Sequence, residues 1–315
     1  IATTSCRLAT VSCKNLWDPI AKRAFSSDDL TASLKVTDPS GTPLGAIVFL
    51  LGGGSTAIYE SATEGDTIVQ AAIDAGYRTI QVAWESNSGG GAWRGSPSSS
   101  NYGGDNYPDG PLYGGGCRAA TLLKAIAEDT TLVPAAGVYL ATGQSGGAAQ
   151  LTYSLTRYGL GDYLDGIVLT GGPAIGALRE GCEGRRSAAW MTACPSYLVV
   201  PIISGGMCYY TDAEVDGQFV DYLWNDGRQY CALGRGWIPS HFSQSYGYQS
   251  ALGGEAQRRF PHTIIRHLFG DADGSVAVSM GRRVVSQLVD RSGSAVTHDI
   301  ANGSTPHLVA DTMDG

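Results

Sequence analysis

The five residues Gly143-Gln144-Ser145-Gly146-Gly147 constrain this chain more than any other segment. They fit G-x-S-x-G, and their surroundings fit a strand–turn–helix corner. An apolar run, Gly137 to Thr142, leads in with strand composition. Ala148 to Tyr158 leads out with a helical pattern and stops at Gly159. A serine on so sharp a corner takes strained backbone angles. Its neighbours two residues away, Gly143 and Gly147, must lack side chains to avoid collision. The corner lifts the hydroxyl clear of the sheet and aims the following N–H groups at one point, where an oxyanion can sit. Ser145 is therefore the candidate nucleophile and the Gly146 N–H a candidate oxyanion donor. The bland alternative is a Gly-rich turn that caps a helix.

An alternation of strands and helices surrounds this corner. Residues up to about Ser27 read as irregular, and Leu30 to Thr37 alternates like a strand. Gly45 to Leu51 is a continuous apolar run, as a central buried strand requires, and it ends in Gly52-Gly53-Gly54-Ser55. Thr67 to Ala75 has helical spacing and stops at Gly76, and Tyr77 to Trp84 reads as a strand. Residues 86–116 are rich in Ser, Gly, Asn, Asp and Tyr and read as a long loop packed on the body, with a disordered insertion as the alternative. A helix runs from Cys117 to Ile126, and Leu164 to Thr170 is a further strand. From about Gly171 to Arg259 the rhythm breaks and aromatic residues gather, which reads as a cap inserted over the site. His262 to Phe269 resumes as a strand, Ser275 to Val289 as a helix and Ala295 to Ile300 as a last strand. Such alternation with tight turns calls for a mostly parallel sheet with helices on both faces.

A serine hydroxyl needs a base, a group that orients the base, and oxyanion donors. The chain has five histidines. His262 and His267 fall at or inside a strand, where a structural role is expected. His241 falls in the cap and His298 in the last strand. His307 follows that strand by a short loop, Asn302 to Pro306, and can hang over a serine at the carboxyl edge of the sheet. It is the candidate base, with His298 as runner-up. Gly270-Asp271-Ala272-Asp273-Gly274 follows the strand before the last helix and supplies the acid. The turn favours Asp273 over Asp271, and one of the pair is expected to cap the following helix. The D-x-D-G pattern lacks the spacing and closing Glu of a calcium loop, so no metal is expected. The second oxyanion donor is expected from Gly53 or Gly54.

Composition excludes some classes. The net charge is −8 with no basic run, which argues against a nucleic-acid partner. No stretch approaches the roughly 18 apolar residues of a membrane span. Seven cysteines without a C-x-x-C pair suggest disulfides rather than a zinc or redox motif. Sequence proximity suggests Cys6 with Cys13, Cys182 with Cys194 and Cys208 with Cys231, leaving Cys117 as a buried thiol. These cysteines, the scarcity of Lys and the start at Ile1 without Met together read as the mature form of an exported protein.

The order Ser145, Asp273, His307, with a glycine turn after an early strand, resembles the α/β-hydrolase superfamily. Gly52-Gly53-Gly54 is similar to the GGGX-type oxyanion loop of esterases and lipases, although Leu51 stands where a His is usual. The resemblance extends from about Leu30 to the C-terminus, apart from the 86–116 loop and the cap. It implies a single α/β-hydrolase domain over 1–315, with a mostly parallel sheet flanked by helices. A cap insertion follows the sixth core strand, at about 174–259. It also implies a serine hydrolase that needs no cofactor. The expectation is a secreted, monomeric carboxylic-ester hydrolase acting on a small-molecule or polymeric ester. A peptidase or amidase of the same fold is the alternative, with Glu180, Glu183, Arg185 or Arg186 available to read a charged terminus. A non-catalytic binding protein on the same scaffold is a third.

Overall fold

The computed structural model describes residues 2–18, 23–52, 55–62, 64–85, 111–172, 256–270 and 284–301. They build one eight-stranded sheet. Its first four strands are β1 (Thr3–Asp18), β2 (Arg23–Asp38), β3 (Gly45–Leu50) and β4 (Arg78–Trp84). The other four are β5 (Val138–Gln144), β6 (Gly166–Thr170), β7 (Ile264–Gly270) and β8 (His298–Ala301). Across the sheet the order is β1-β2-β4-β3-β5-β6-β7-β8. The pairs β1–β2 and β2–β4 are antiparallel and every other pair is parallel. The helices α1 (Gly65–Asp74), α2 (Pro111–Glu128) and α3 (Gly146–Tyr158) flank it.

The apolar run of β3 serves two cores at once. Ala46, Val48 and Leu50 pack in the large cluster with Leu122, Leu123 and Ile126 of α2 and Ala148, Leu151 and Leu155 of α3. Ile47 and Phe49 face the other way, toward Val69, Ile68 and Ala72 of α1. This two-sided burial is why the run shows no period-two alternation. The chain steps from β3 outward to β4, then returns to form β5 on the other side of β3. The winding therefore reverses between β3 and β5. In open α/β sheets, ligands bind beyond the carboxyl ends of strands at such a switch point.

The N-terminal region departs from the sequence expectation. Residues expected to be irregular form β1 and the first part of β2, paired from Thr3↔Asp38 to Asp18↔Arg23. From Thr3 to Thr10 no residue of β1 is buried and Leu8 is 76% exposed, while Val11 and Cys13 are buried. An edge strand that buries so little carries no alternating pattern to read. Pairing of β2 with β4 ends at Ala32↔Trp84, so the hairpin beyond Thr31 continues past the carboxyl end of β4.

The expected Cys6–Cys13 bridge is not formed. Cys13 is bonded to Cys117 with a Cα–Cα distance of 6.2 Å, and Cys6 is free and exposed. Cys6 and Cys13 lie on one strand, where seven residues at about 3.3 Å each separate them by roughly 23 Å. Proximity in sequence misled because it took this segment for a loop. Cys117 is accordingly not a free thiol. Cys182, Cys194, Cys208 and Cys231 lie outside the described residues.

Helix α2 begins at Pro111, ahead of the expected start at Cys117. Gly114-Gly115-Gly116 disguises this turn, because glycine is a weak helix former. A Cβ on Gly116 would lie 2.6 Å from the Tyr153 Cβ, so glycine there lets α2 and α3 approach closely. The helix expected to reach Val289 ends sooner. Val284 and Val285 are helical, and Val289 instead bridges to Arg259 and Ala295. Residues 86–110 of the expected loop lie outside the described residues, as do residues 173–255 between β6 and β7.

Candidate active site

Ser145 sits between the end of β5 and the start of α3, with φ 51° and ψ −109°. An L-residue rarely takes a positive φ, and a serine held there is strained. Neighbouring backbone enforces the corner. A Cβ on Gly143 would lie 2.5 Å from the Gly147 carbonyl, and a Cβ on Gly147 would run into the Leu50 carbonyl of β3. The two glycines of G-x-S-x-G are thus fixed by sterics, as expected from sequence. The Ser145 N–H donates to the Thr170 carbonyl of β6 at 2.8 Å, and the Ser145 carbonyl accepts from the Ala149 N–H at 3.1 Å. Every residue of α3 from Gly146 to Thr156 is buried. Gly146 opens this helix, and the first N–H groups of a helix have no intrahelical acceptor.

The turn after β3 lies beside the serine. Leu50 pairs with Gly143 in the β3–β5 register. A Cβ on Gly52 would run into Gln144 Oε1 and lie 3.1 Å from the Ser145 Cβ, so glycine here lets the turn pass close to both residues. Ser55 closes the turn at φ 53° and is 1% exposed. Its N–H donates to the Gly52 carbonyl at 3.0 Å and its hydroxyl donates to the Leu51 carbonyl. Gly53 and Gly54, the expected donors, lie between these anchors but outside the described residues. Gln144 is 2% exposed, and its Nε2 is buried without a hydrogen-bond partner among the described residues.

A second turn backs the serine from the β6 side. A Cβ on Gly172 would lie 2.9 Å from the Ser145 carbonyl oxygen. His267 of β7, fully buried, donates from Nε2 to the Gly172 carbonyl. His267 is thus structural, as its place in a strand suggested. His262 is exposed just before β7 and His298 opens β8. Asp271, Asp273, His241 and His307 lie outside the described residues. The described strands do fix where two of these segments begin. Gly270 and Ala301 are paired at the carboxyl edge, the edge from which Ser145 projects.

Sequence reasoning missed Ser55, Gln150 and Trp84, which support the glycine turn. Gln150 donates from Nε2 to the Ser55 hydroxyl at 2.7 Å, and Trp84 Nε1 donates to Gln150 Oε1 at 3.1 Å. The sequence holds little hint of them, because Gln150 is one of several polar residues on α3, with Thr152, Ser154 and Thr156. On the α1 face of the sheet a groove of about 590 Å³ is lined by Phe49, Leu140, Val168, Ile264 and Leu268. Ser145 is not among its lining residues, although Thr142 and Thr170, which lead up to the corner, are. Among the described residues no cluster of three or more His, Cys, Asp or Glu side chains suits a metal ion. No described helix is long and apolar enough to cross a membrane.

No protein-family model matches this chain, and no curated protein matches it in sequence. Solved structures are similar. An esterase of Pyrobaculum calidifontis aligns over 96% of this chain and 77% of its own, at 14% identity and TM-score 0.50. Alpha/beta hydrolase domain-containing protein 10 from mouse aligns over 90% of this chain and 89% of its own, at 15% identity and TM-score 0.49. At such identities the likeness is one of fold. The sheet order, the corner at Ser145 and the Pyrobaculum likeness together define the α/β-hydrolase fold.

Proposed function

We propose that this chain is a secreted serine hydrolase that cleaves carboxylic esters through an acyl-enzyme. The strained Ser145 on its glycine-flanked corner carries the reading. Ser145 Oγ attacks the ester carbonyl carbon while His307 takes its proton. The tetrahedral oxyanion is held by N–H groups of Gly146 and of Gly53 or Gly54. Collapse expels the alcohol, which receives the proton from His307, and water then releases the acid by the same steps in reverse. Asp273 orients the imidazole.

Reach supports these assignments. β8 stands three places from β5 in the sheet, about 14 Å at the usual strand spacing. His307 lies six positions beyond Ala301, a span of up to about 20 Å when extended. Asp273 follows Gly270 of the intervening β7 by three residues, about 10 Å, which suffices to meet the imidazole partway. The Cys13–Cys117 disulfide supports an oxidising compartment and hence export.

Turnover of p-nitrophenyl esters of rising chain length, beside matched anilides, tests the reading. Ester hydrolysis is expected, lost by about 10³-fold or more in Ser145→Ala with the fold intact. It should rise with pH as the base becomes neutral. Anilide cleavage in preference to esters would shift the assignment to a peptidase. Undiminished ester turnover in Ser145→Ala would overturn it.

A further inference from the structure

We propose that Gln150 is a positioning residue, whose carboxamide holds the Leu51–Ser55 turn against Ser145 and thereby sets the oxyanion-binding geometry. The inference rests on the ester-hydrolase reading and adds to it a residue outside the catalytic set.

Gln150 lies five residues beyond Ser145 on α3 and has no exposed surface. Both ends of its side chain are engaged. Nε2 donates to the Ser55 hydroxyl at 2.7 Å, and Oε1 accepts from Trp84 Nε1 at 3.1 Å. A buried carboxamide left unpaired is costly, so each bond constrains the others. Ser55 is held from several sides. Beyond Gln150, its hydroxyl donates to the Leu51 carbonyl, its N–H to the Gly52 carbonyl, and its own carbonyl accepts from the Trp84 N–H at 2.7 Å. These bonds fix a non-glycine residue at φ 53°. The turn so held is the one that passes Gln144 and Ser145: a Cβ on Gly52 would run into Gln144 Oε1 and lie 3.1 Å from the Ser145 Cβ. One side chain on the nucleophile's own helix therefore ties three parts together: the corner, the glycine turn and β4. Packing alone would be met by an aliphatic residue here, without the cost of desolvating an amide. The carboxamide instead fixes direction, which matters where donors must stand within about 3 Å of a developing oxyanion.

The test compares Gln150→Met, which keeps the length and loses both bonds, with Ser55→Ala and the double variant. Expected is a kcat loss of about 10- to 100-fold on a short p-nitrophenyl ester, with KM changed by less than about threefold. The double variant should be no worse than the worse single, because both act along one path. Hydrogen exchange supplies a readout independent of activity: amides of residues 51–56 should exchange faster in Gln150→Met while those of α3 stay protected. Trp84→Phe, which removes one bond and keeps an aromatic core residue, should show a smaller loss in the same direction. A folded Gln150→Met with wild-type kcat and unchanged exchange would overturn the proposal, as would losses that multiply in the double variant. Should Gln150→Met fail to fold, wild-type kcat and exchange in Trp84→Phe would overturn it. A wild-type protein without ester turnover, but with faster exchange in Gln150→Met, would refute the hydrolase reading and leave the anchoring intact.

Discussion

Ser145 holds backbone strain of about 1–3 kcal/mol at its positive φ. That strain predicts an opposition between stability and activity at this position. Ser145→Gly should be inactive yet more stable than Ser145→Ala, by about 1 kcal/mol, because only glycine relaxes at these angles. Urea unfolding of the two variants checks this, and a less stable glycine variant would argue against strain. The corner was legible in the sequence because sterics leave no choice at Gly143 and Gly147. Ser55 and Gln150 were not legible. A serine ending a glycine run reads as loop, and a glutamine in a helix reads as surface. Their roles depend on partners distant in sequence: Ser55 and Gln150 on each other, and Gln150 on Trp84.

The elements show the same division. Strands β3 to β7 and helices α1 and α3 were legible because each has a period or a continuous apolar run that burial explains. Strand β1, the first part of β2 and the first turn of α2 were hidden, the former by polar edge composition and the latter by glycines that allow close packing. The expected cap, 174–259, lies mostly outside the described residues. Residues 256–260 do return to the body at the end of α3 remote from Ser145, where the Gln257 N–H donates to the Thr156 carbonyl at 2.7 Å. The segment leading to β8 is anchored to β7 by Asp290. Its carboxylate accepts from the Ile265 N–H at 3.1 Å, the Ser292 N–H at 2.9 Å and the Ser292 hydroxyl at 2.6 Å. Burial pushes this acid up, but these hydrogen bonds and nearby Arg266 outweigh it and hold the carboxyl below its ordinary range. A depressed acid stabilises the fold above its unfolded value, near 4, and loses that contribution as pH falls through the folded value. Asp290→Asn should therefore destabilise at neutral pH by about 1–3 kcal/mol, with the gap to wild type closing below about pH 4. Denaturant unfolding between pH 3 and 7 measures it, and a gap independent of pH would refute it.

Across the whole molecule, the Cys13–Cys117 bond ties the edge hairpin to α2 over a sequence separation of 104. Closing so long a loop restricts the unfolded chain, by about 4–5 kcal/mol in the loop-entropy account. Reduction, or the double change Cys13→Ser and Cys117→Ser, should lower the melting temperature markedly. Cys6→Ser should leave it unchanged, since Cys6 is free. Equal melting with and without reductant would contradict the pairing. The sheet order sets the rest of the design. The winding reversal between β3 and β5 places a glycine turn and a raised serine side by side at the carboxyl edge, where β7 and β8 also end.

The account depends on the Ser145 hydroxyl being reactive because of where the fold holds it. The most direct measurement treats the folded protein with a fluorophosphonate, then locates the adduct by peptide mass mapping. One equivalent on Ser145, absent after denaturation and in Ser145→Ala, is the result expected. A folded protein that stays unlabelled, or carries the label on another residue, would contradict it.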